Sequence, residues 1–400
     1  MESRSKRRRN SVEQAPLPTI PPPTSSPGVS THPEPPGPPD NKRRRTNPPR
    51  RKVNPPRRSP STAPSMSSVD HPADNTWEER KSQAESRINK YECCGRSNEQ
   101  CLTKTLNAAL NWLPEGGKDQ LADDIVIAED DETLWEVFDN LRTAVIETIR
   151  STGKTPCVTP SPHHKRQASV ERVAAKLPDP QVRSPAWAKD CIDRDNHRCV
   201  ISGAATEAEW VKNGGVEGEL WGKLEVHHII PFSLGGFDKE DDHNIAVKWE
   251  SIYTAFPQMK ARMRASRINS LENGITLHNL VHVEFQAFKI ALQPTERTNY
   301  YSVKKYPRLN SILHPHIQNG TMVTLRQADG HQEKPLPGRE FLDTHFRLCE
   351  IFHASGLAKE VEDNYRRWDQ IKQQASGHSL LEDGSTNVAE ILRTALFSVA

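Results

Sequence analysis

The sequence predicts an α+β fold, and three observations carry that prediction. Apolar residues recur at three- and four-residue steps over Leu134, Val137, Phe138, Leu141, Val145 and Ile149, and again over Phe341, Leu342, His345, Phe346, Cys349 and Phe352. Those are helical periods. Leu224 to Pro231 alternates like a strand, and Ile268 to Leu277 reads as a turn at Asn273-Gly274 followed by a second short strand. The first 75 residues, rich in Pro, Ser, Thr, Arg and Asn, bury too little to offset the entropy of ordering and are expected to be disordered.

Along the chain, residues 1–75 form a basic Pro-rich arm. Of the chain's 32 prolines 16 fall in residues 1–60, with 14 Lys or Arg against four acids, so that stretch carries +10 of a whole-chain +2. Two compact clusters, Lys6, Arg7, Arg8 and Arg9, then Lys42, Arg43, Arg44 and Arg45, suit recognition by the nuclear import machinery and predict a nuclear protein. Residues 76–153 are expected to be a small helical domain. Its clearest helix starts near Glu132 behind acidic residues that favour the helix dipole, with Gly153 placed as a C-cap. Residues 154–183, rich in Pro, Ser and Thr at their start, read as a linker, and 184–303 as a mixed segment. Residues 304–376 form a mostly helical extension, with helices near 339–356 and 358–374, and 377–400 a tail with a short helix.

No run of 18 apolar residues occurs and no apolar stretch follows the charged start, so neither a membrane-spanning nor a secreted protein is expected. Seven scattered cysteines with no CxxC pair argue against a disulfide framework and against a cysteine-based zinc ribbon.

One segment demands a chemical explanation. Strand residues His227 and His228 are neighbours, so their side chains leave opposite faces. A helix beginning near His278 buries Val281, Phe285 and Phe288 and leaves His282 facing the strands. One strand histidine can share a metal with His282, while the other, titrating near neutrality, can take a proton from water. Hydrolysis of a nucleic-acid backbone needs that division of labour.

At these residues the chain resembles the HNH nucleases, whose site is a ββα-metal hairpin and helix, and in particular a variant expanded in filamentous fungi. The resemblance covers about 120 residues, from Arg194-Asp-Asn-His-Arg-Cys-Val-Ile-Ser-Gly203 through His227-His-Ile-Ile-Pro231 to Asn273-Gly-Ile-Thr-Leu-His-Asn-Leu-Val-His282 and Phe285. It implies a small ββα-metal HNH-like domain flanked by helical segments, holding one divalent metal ion, Mg, Mn or Zn. It further implies that His227 and His282 bind the metal, that His228 is the general base, and that Asn273 braces the loop carrying the base. Arg198-Cys199 through Gly203 matches the domain's opening strand and turn, without the CxxC of zinc-stapled relatives.

Two asparagines compete for the middle position of the pattern. In the family that asparagine precedes the last metal-binding His by nine positions, which selects Asn273 over Asn244. Many members carry a carboxylate four residues after that His; this chain has Gln286, a poorer ligand for a hard cation. His278, one turn before His282, reads either as the helix cap or as an additional ligand. Lys260, Arg262, Arg264 and Arg267 put four charges into eight residues and read either as a nucleic-acid contact or as a solvated helix face. The expected function is a divalent-metal-dependent nuclease acting on nucleic acid, most simply DNA. The alternative is a catalytically inactive nuclear binding module that keeps the fold as a scaffold, its helical flanks docking protein partners.

Overall fold

The computed structural model describes residues 76–361 and 363, apart from 97 and 151–157. The arm of residues 1–75 with its two basic clusters, the C-cap expected at Gly153 and the tail from 377 lie outside the described residues, as does most of the helix expected over 358–374. The described residues fall within one unit, Asp70–Ala400.

Four helices open it: α1 (Trp77–Asn89), α2 (Leu102–Trp112), α3 (Glu115–Ile127) and α4 (Asp131–Asn140). Thr76 starts α1 with a capping box, its hydroxyl accepting from the Glu79 N–H while the Glu79 carboxylate accepts from the Thr76 N–H. The apolar stripe from Leu134 to Ile149 is one continuous helical path, but its pitch widens: α4 passes into a π-helical stretch, Leu141–Glu147, before α5 (Thr148–Arg150). The wider turns bring Arg142 inside, where it pairs with Asp139 and Glu147.

The segment expected to be a linker contains a helix, α6 (His164–Ala174). Its one buried residue, Val170, packs with Ala144, Val158, Ala246 and Val247. Next come α7 (Pro185–Arg194), with Ser184 as N-cap and proline at its first turn, and α8 (Glu207–Lys212). The expected opening strand at Arg198 to Gly203 is instead a tight turn. It makes one bridge, Arg198 to Ala205, and the Val200 N–H donates to the Thr276 carbonyl at 3.0 Å.

The hairpin strands are β1 (Leu224–His228) and β2 (Gly274–His278), antiparallel with Leu224 opposite His278 and His228 opposite Gly274. Between them lie α9 (Asp242–Ala255) and α10 (Met259–Arg262). After β2 come α11 (Asn279–Gln286) and a three-stranded antiparallel sheet of β3 (Ile290–Pro294), β4 (Tyr300–Lys305) and β5 (Met322–Thr324). Finally α12 (Arg339–Ala354) packs its apolar face on β3 and α2.

The Asn273-Gly274 pair does not turn the chain. Asn273 ends a short 3-10 segment, and Gly274 is extended (φ −111°) as the first residue of β2. Glycine is needed there for closeness: a Cβ would collide with Cys191 Sγ and come within 2.8 Å of the Trp187 ring. One continuous apolar core runs from α1 to α12 through the hairpin and the three-stranded sheet. No helix among the described residues is long and apolar enough to cross a membrane.

Candidate active site

β1 ends on two histidines whose rings the pleat sends to opposite sides. His227 turns towards α11, where its ring lies edge-on to His282 (centroids 4.8 Å apart) and Phe285 (5.4 Å). His228 turns onto Trp187 of α7, the two rings stacking at 3.7 Å and 18° from parallel. Each histidine is only 7% exposed.

The partners of His228 decide its tautomer. Asn269 donates its Nδ2–H to the Val182 carbonyl at 2.9 Å, so its oxygen faces the imidazole, 3.2 Å from His228 Nε2. His228 Nε2 is therefore the donor, and Nδ1 keeps the lone pair that a general base needs. Burial pulls this imidazole down to about 4, against the Asn269 hydrogen bond and with help from the positive charge of Arg183. At pH 7 the ring is neutral.

On the other face, Glu225 stands two residues before His227 and so on the same side of β1. Its carboxylate accepts from His282 Nδ1–H at 2.6 Å and pairs with Lys223 at 2.7 Å, and the hydrogen bonds from Lys223 and His282 hold it below the usual carboxylate range. A carboxylate can only accept, so His282 carries its proton on Nδ1 and leaves Nε2 available, as in carboxylate-oriented metal-binding histidines. Burial, reinforced by the neighbouring His282, pushes His227 well below the usual imidazole range. His227, kept neutral by burial, and His282, whose Nδ1 is held by Glu225, would offer one ring nitrogen each to a divalent ion. Among the described residues no group of three or more His, Cys, Asp or Glu is assembled that could hold a metal ion. Gln286, half-buried at the last turn of α11, is a neutral amide.

Asn273 is wholly buried behind the hairpin. Its Oδ1 accepts from the Ile230 N–H at 2.8 Å, and its Nδ2 donates to the Ile230 and Ile268 carbonyls, both at 2.9 Å. Those bonds tie the residues just after His228 to the start of β2. Asn244 is elsewhere, on the first turn of α9, with its Nδ2–H on Asp241. His278 caps α11: Nδ1 accepts from the Leu280 N–H at 3.3 Å and Nε2 faces the Trp221 carbonyl at 3.4 Å, so both ring nitrogens are engaged. It is 4% exposed, not on the surface as a first-turn position suggests, and Gly222 lets it in, since a Cβ there would lie 2.7 Å from His278 Nε2.

The four basic residues after α9 divide. Arg262 pairs with Glu340 at 3.1 Å and Arg267 with Glu272 at 3.0 Å, whereas Lys260 and Arg264 are exposed and line a cleft beside α6.

Sequence reasoning missed Trp187, Asn269, Arg183 and Glu225. The first three come from distant segments that only the fold brings to His228. Glu225 did have a signal, since alternation puts it on the face of His227. A buried pair also went unnoticed: Arg194 chelates Asp195 and donates to the carbonyls of Leu271, Gly274 and Pro335, while Asp195 accepts from the Thr276 N–H. It fixes β2 to α7.

With this geometry in place, a family model described as HNH endonuclease matches residues 199–293. The match spans the Cys199 turn, both hairpin strands, α11 and β3. Comparison with curated proteins and with solved structures gives no match.

Proposed function

Residues 199–293 are a domain of the HNH endonuclease family, and from that premise we propose that the chain is a divalent-metal-dependent nuclease that hydrolyses phosphodiester bonds, with DNA as its substrate. HNH nucleases generally use a divalent metal, and the domain points to nucleic acid. The observation that carries the reading is the division of the β1 end: a buried imidazole with its Nδ1 lone pair on one face, and on the other the His227 and His282 rings side by side, His282 oriented by the Glu225 carboxylate.

In this reading His227 and His282 hold the ion, one of Mg, Mn or Zn, with imidazole ligands favouring Zn among the three. The bound ion would stabilise negative charge on the phosphate and on the leaving oxygen. His228 Nδ1 takes the proton of a water as the water oxygen bonds to phosphorus and the bond to the leaving oxygen breaks. Trp187 and Asn269 keep the ring from rotating, and Asn273 holds the backbone beyond it. The negative charge of an arriving phosphodiester raises the His228 imidazole from about 4 towards the range suited to a base. Arg183, whose guanidinium lies over Phe232 beside His228, offers that phosphate a positive charge.

The second reading, a scaffold without catalysis, is favoured by Gln286 and by a protein ligand set of two. Plasmid nicking by the full chain with Mg, Mn, Zn or no metal separates them. Under the nuclease reading His228→Ala abolishes nicking yet leaves calorimetric metal binding intact, while His227→Ala and His282→Ala weaken both. A chain that binds no divalent ion and nicks nothing is the scaffold. Import through the clusters ending at Arg9 and Arg45 belongs to the same proposal. Nuclear accumulation of a fluorescent full-length chain with both clusters neutralised would dismiss it.

A further inference from the structure

A cleft of about 1030 Å³ opens between α6 and α3 on one side and α9 with the chain following it on the other. The α3 and α6 walls lie outside the residues that match the HNH family. Six Lys or Arg line the cleft: Lys165, Arg166, Arg172, Lys176, Lys260 and Arg264. Of its three lining carboxylates, Asp124 and Glu250 are taken by Arg166, at 2.9 and 3.8 Å. The other five cations are exposed, and none has an ion pair among the described residues. Like charges lining a concave wall repel one another and focus a positive field into it, an arrangement that a polyanion relieves.

The placement of those charges is ordered. Lys165, Arg172 and Lys176 recur at seven- and four-residue steps along one face of α6 and its C-terminal end, and Lys260 and Arg264 stand four apart on the opposite wall. The two lining aromatics are already committed. Trp249 donates to the Leu234 carbonyl and Tyr253 to the Met263 carbonyl, and the two rings stack on each other at 5.3 Å. Of the two lining imidazoles His163 faces the Asp124 carbonyl at 3.0 Å and His164 is exposed, so the walls offer many charges for phosphates and one open ring, which favours backbone recognition over base reading.

Both walls also lead to His228. Ser266 lines the cleft, and Asn269, which touches His228, is three residues on, at most about 11 Å along the chain. From Pro178 on the other wall, the chain reaches Arg183 and then Trp187, which stacks on His228. We propose that this cleft binds the phosphodiester backbone of the nucleic-acid strand flanking the bond presented to His228. The proposal rests on the reading of the histidine site as a nuclease centre.

Binding is read on the full chain carrying His228→Ala, so that bound strands are not cut, by fluorescence anisotropy over a salt series. The probes are a duplex DNA of about 30 base pairs and a single-stranded RNA of the same sequence. Neutralising Arg172, Lys176, Lys260 and Arg264 together to Gln should flatten the slope of log affinity against log salt by about 3 to 4 for the duplex. At physiological salt it should weaken binding at least about tenfold. The paired arginines serve as control: Arg262→Gln with Arg267→Gln, equally exposed and close in sequence, should change affinity less than about twofold. Loss for the DNA alone or the RNA alone names the strand bound. Unchanged slopes for both probes, or equal losses in cleft and control variants, overturn the proposal. The Arg172/Lys176 and Lys260/Arg264 pairs are also tested separately, so that a fold defect in one, detected by thermal melting, leaves the other decisive. Nicking by the unmutated chain with unchanged slopes sinks the cleft alone. Slope loss in a chain that nicks nothing sinks the nuclease reading alone and leaves the cleft as a binding groove.

Discussion

Asn273 has no exposed surface, and its side-chain amide makes three hydrogen bonds that close a buried loop. Asn273→Ala strands the Ile230 N–H and two carbonyls in the interior, each at roughly 1 to 3 kcal/mol unless the loop rearranges. A melting temperature lowered by many degrees, together with severe loss of nicking, is the expected outcome. Asn244→Ala, on the half-buried first turn of α9, gives up the bond to Asp241, should cost about 1 kcal/mol and should spare nicking. Equal effects of the two would remove Asn273 from its bracing role. Trp187→Phe tests the other support of the base: it keeps a ring beneath His228 but loses the Nε1 hydrogen bond to the Ser270 carbonyl and some of the cover. Less burial raises the His228 imidazole from about 4 towards 6.5. More of it is then protonated in mild acid, so nicking at pH 5 relative to pH 8 should fall further in the variant than in the unmutated chain. A His228 ring titration by NMR that does not move would exclude that account.

Elements were legible where the apolar residues keep a helical period. The stripe from Leu134 to Ile149 and that of α12 do so, and periodicity finds them although polar residues such as Arg142, Thr143, Thr344 and Glu350 are buried beside them. The π-helical widening at Leu141–Glu147 does not disturb the stripe enough to be seen. α9 was invisible because it is buried nearly all round, Lys248, Glu250 and Ser251 included, so its sequence carries no face to detect. α6 fails in the opposite sense, since its one buried residue, Val170, leaves no stripe. β3 and β4 went unread as a hairpin because the run through Pro294 lacks clean alternation. Of the candidate site, His227, His228, Asn273 and His282 were nameable in advance through the resemblance of their motifs to the HNH pattern. The shell that orients them was not, because Trp187 and Asn269 reach His228 only through the fold. α3 was hidden by its Gly116-Gly117 start, where two glycines argue against a helix. The structure supplies the reason for the second. A Cβ on Gly117 would run into the Ala255 carbonyl at the end of α9, whereas one on Gly116 would meet only the Pro257 ring at 3.2 Å. Gly117→Ala should therefore destabilise by about 1 to 3 kcal/mol through overpacking. Gly116→Ala should be neutral or gain up to about 1 kcal/mol from helix propensity. Urea unfolding of the two variants checks the pair, and similar losses in both would argue against the α3–α9 contact.

At the scale of the molecule the HNH segment does not stand alone. α12 buries Phe341, Leu342, Leu348 and Ile351 in the common core, and its His345 lies flat on Phe285, with centroids 3.8 Å apart and planes 1° from parallel. Phe285 in turn meets His227. Phe288 holds a left-handed backbone (φ 61°), and its ring contacts His345 and Phe352 edge-on. A fragment of residues 184–310 lacks α12 and would expose those aromatics. It should aggregate or bind a hydrophobic dye, whereas residues 76–363 should melt cooperatively. The same contact makes stability depend on pH. His345 donates Nε2–H to the Phe285 carbonyl at 3.0 Å, and burial outweighs that hydrogen bond, pulling the imidazole down to about 3. Above pH 6.5 the ring is neutral whether the chain is folded or not, and its burial costs nothing further. Below 6.5 the unfolded chain takes up a proton that the folded one refuses, so folding weakens as pH falls, by up to about 1.4 kcal/mol per pH unit for this ring. The loss continues until the folded state itself accepts the proton near pH 3. His227 and His228, pulled down by burial as well, add to the slope in the same direction. His345→Gln keeps an amide able to reach the Phe285 carbonyl and removes the titrating group. Unfolding free energies from urea titrations at pH 7, 6 and 5 should therefore fall less steeply in this variant, by about 1 kcal/mol per unit, even if its stability at pH 7 is lower. Parallel pH profiles for the two proteins would show that the ring is already protonated, or already exposed, in the folded chain.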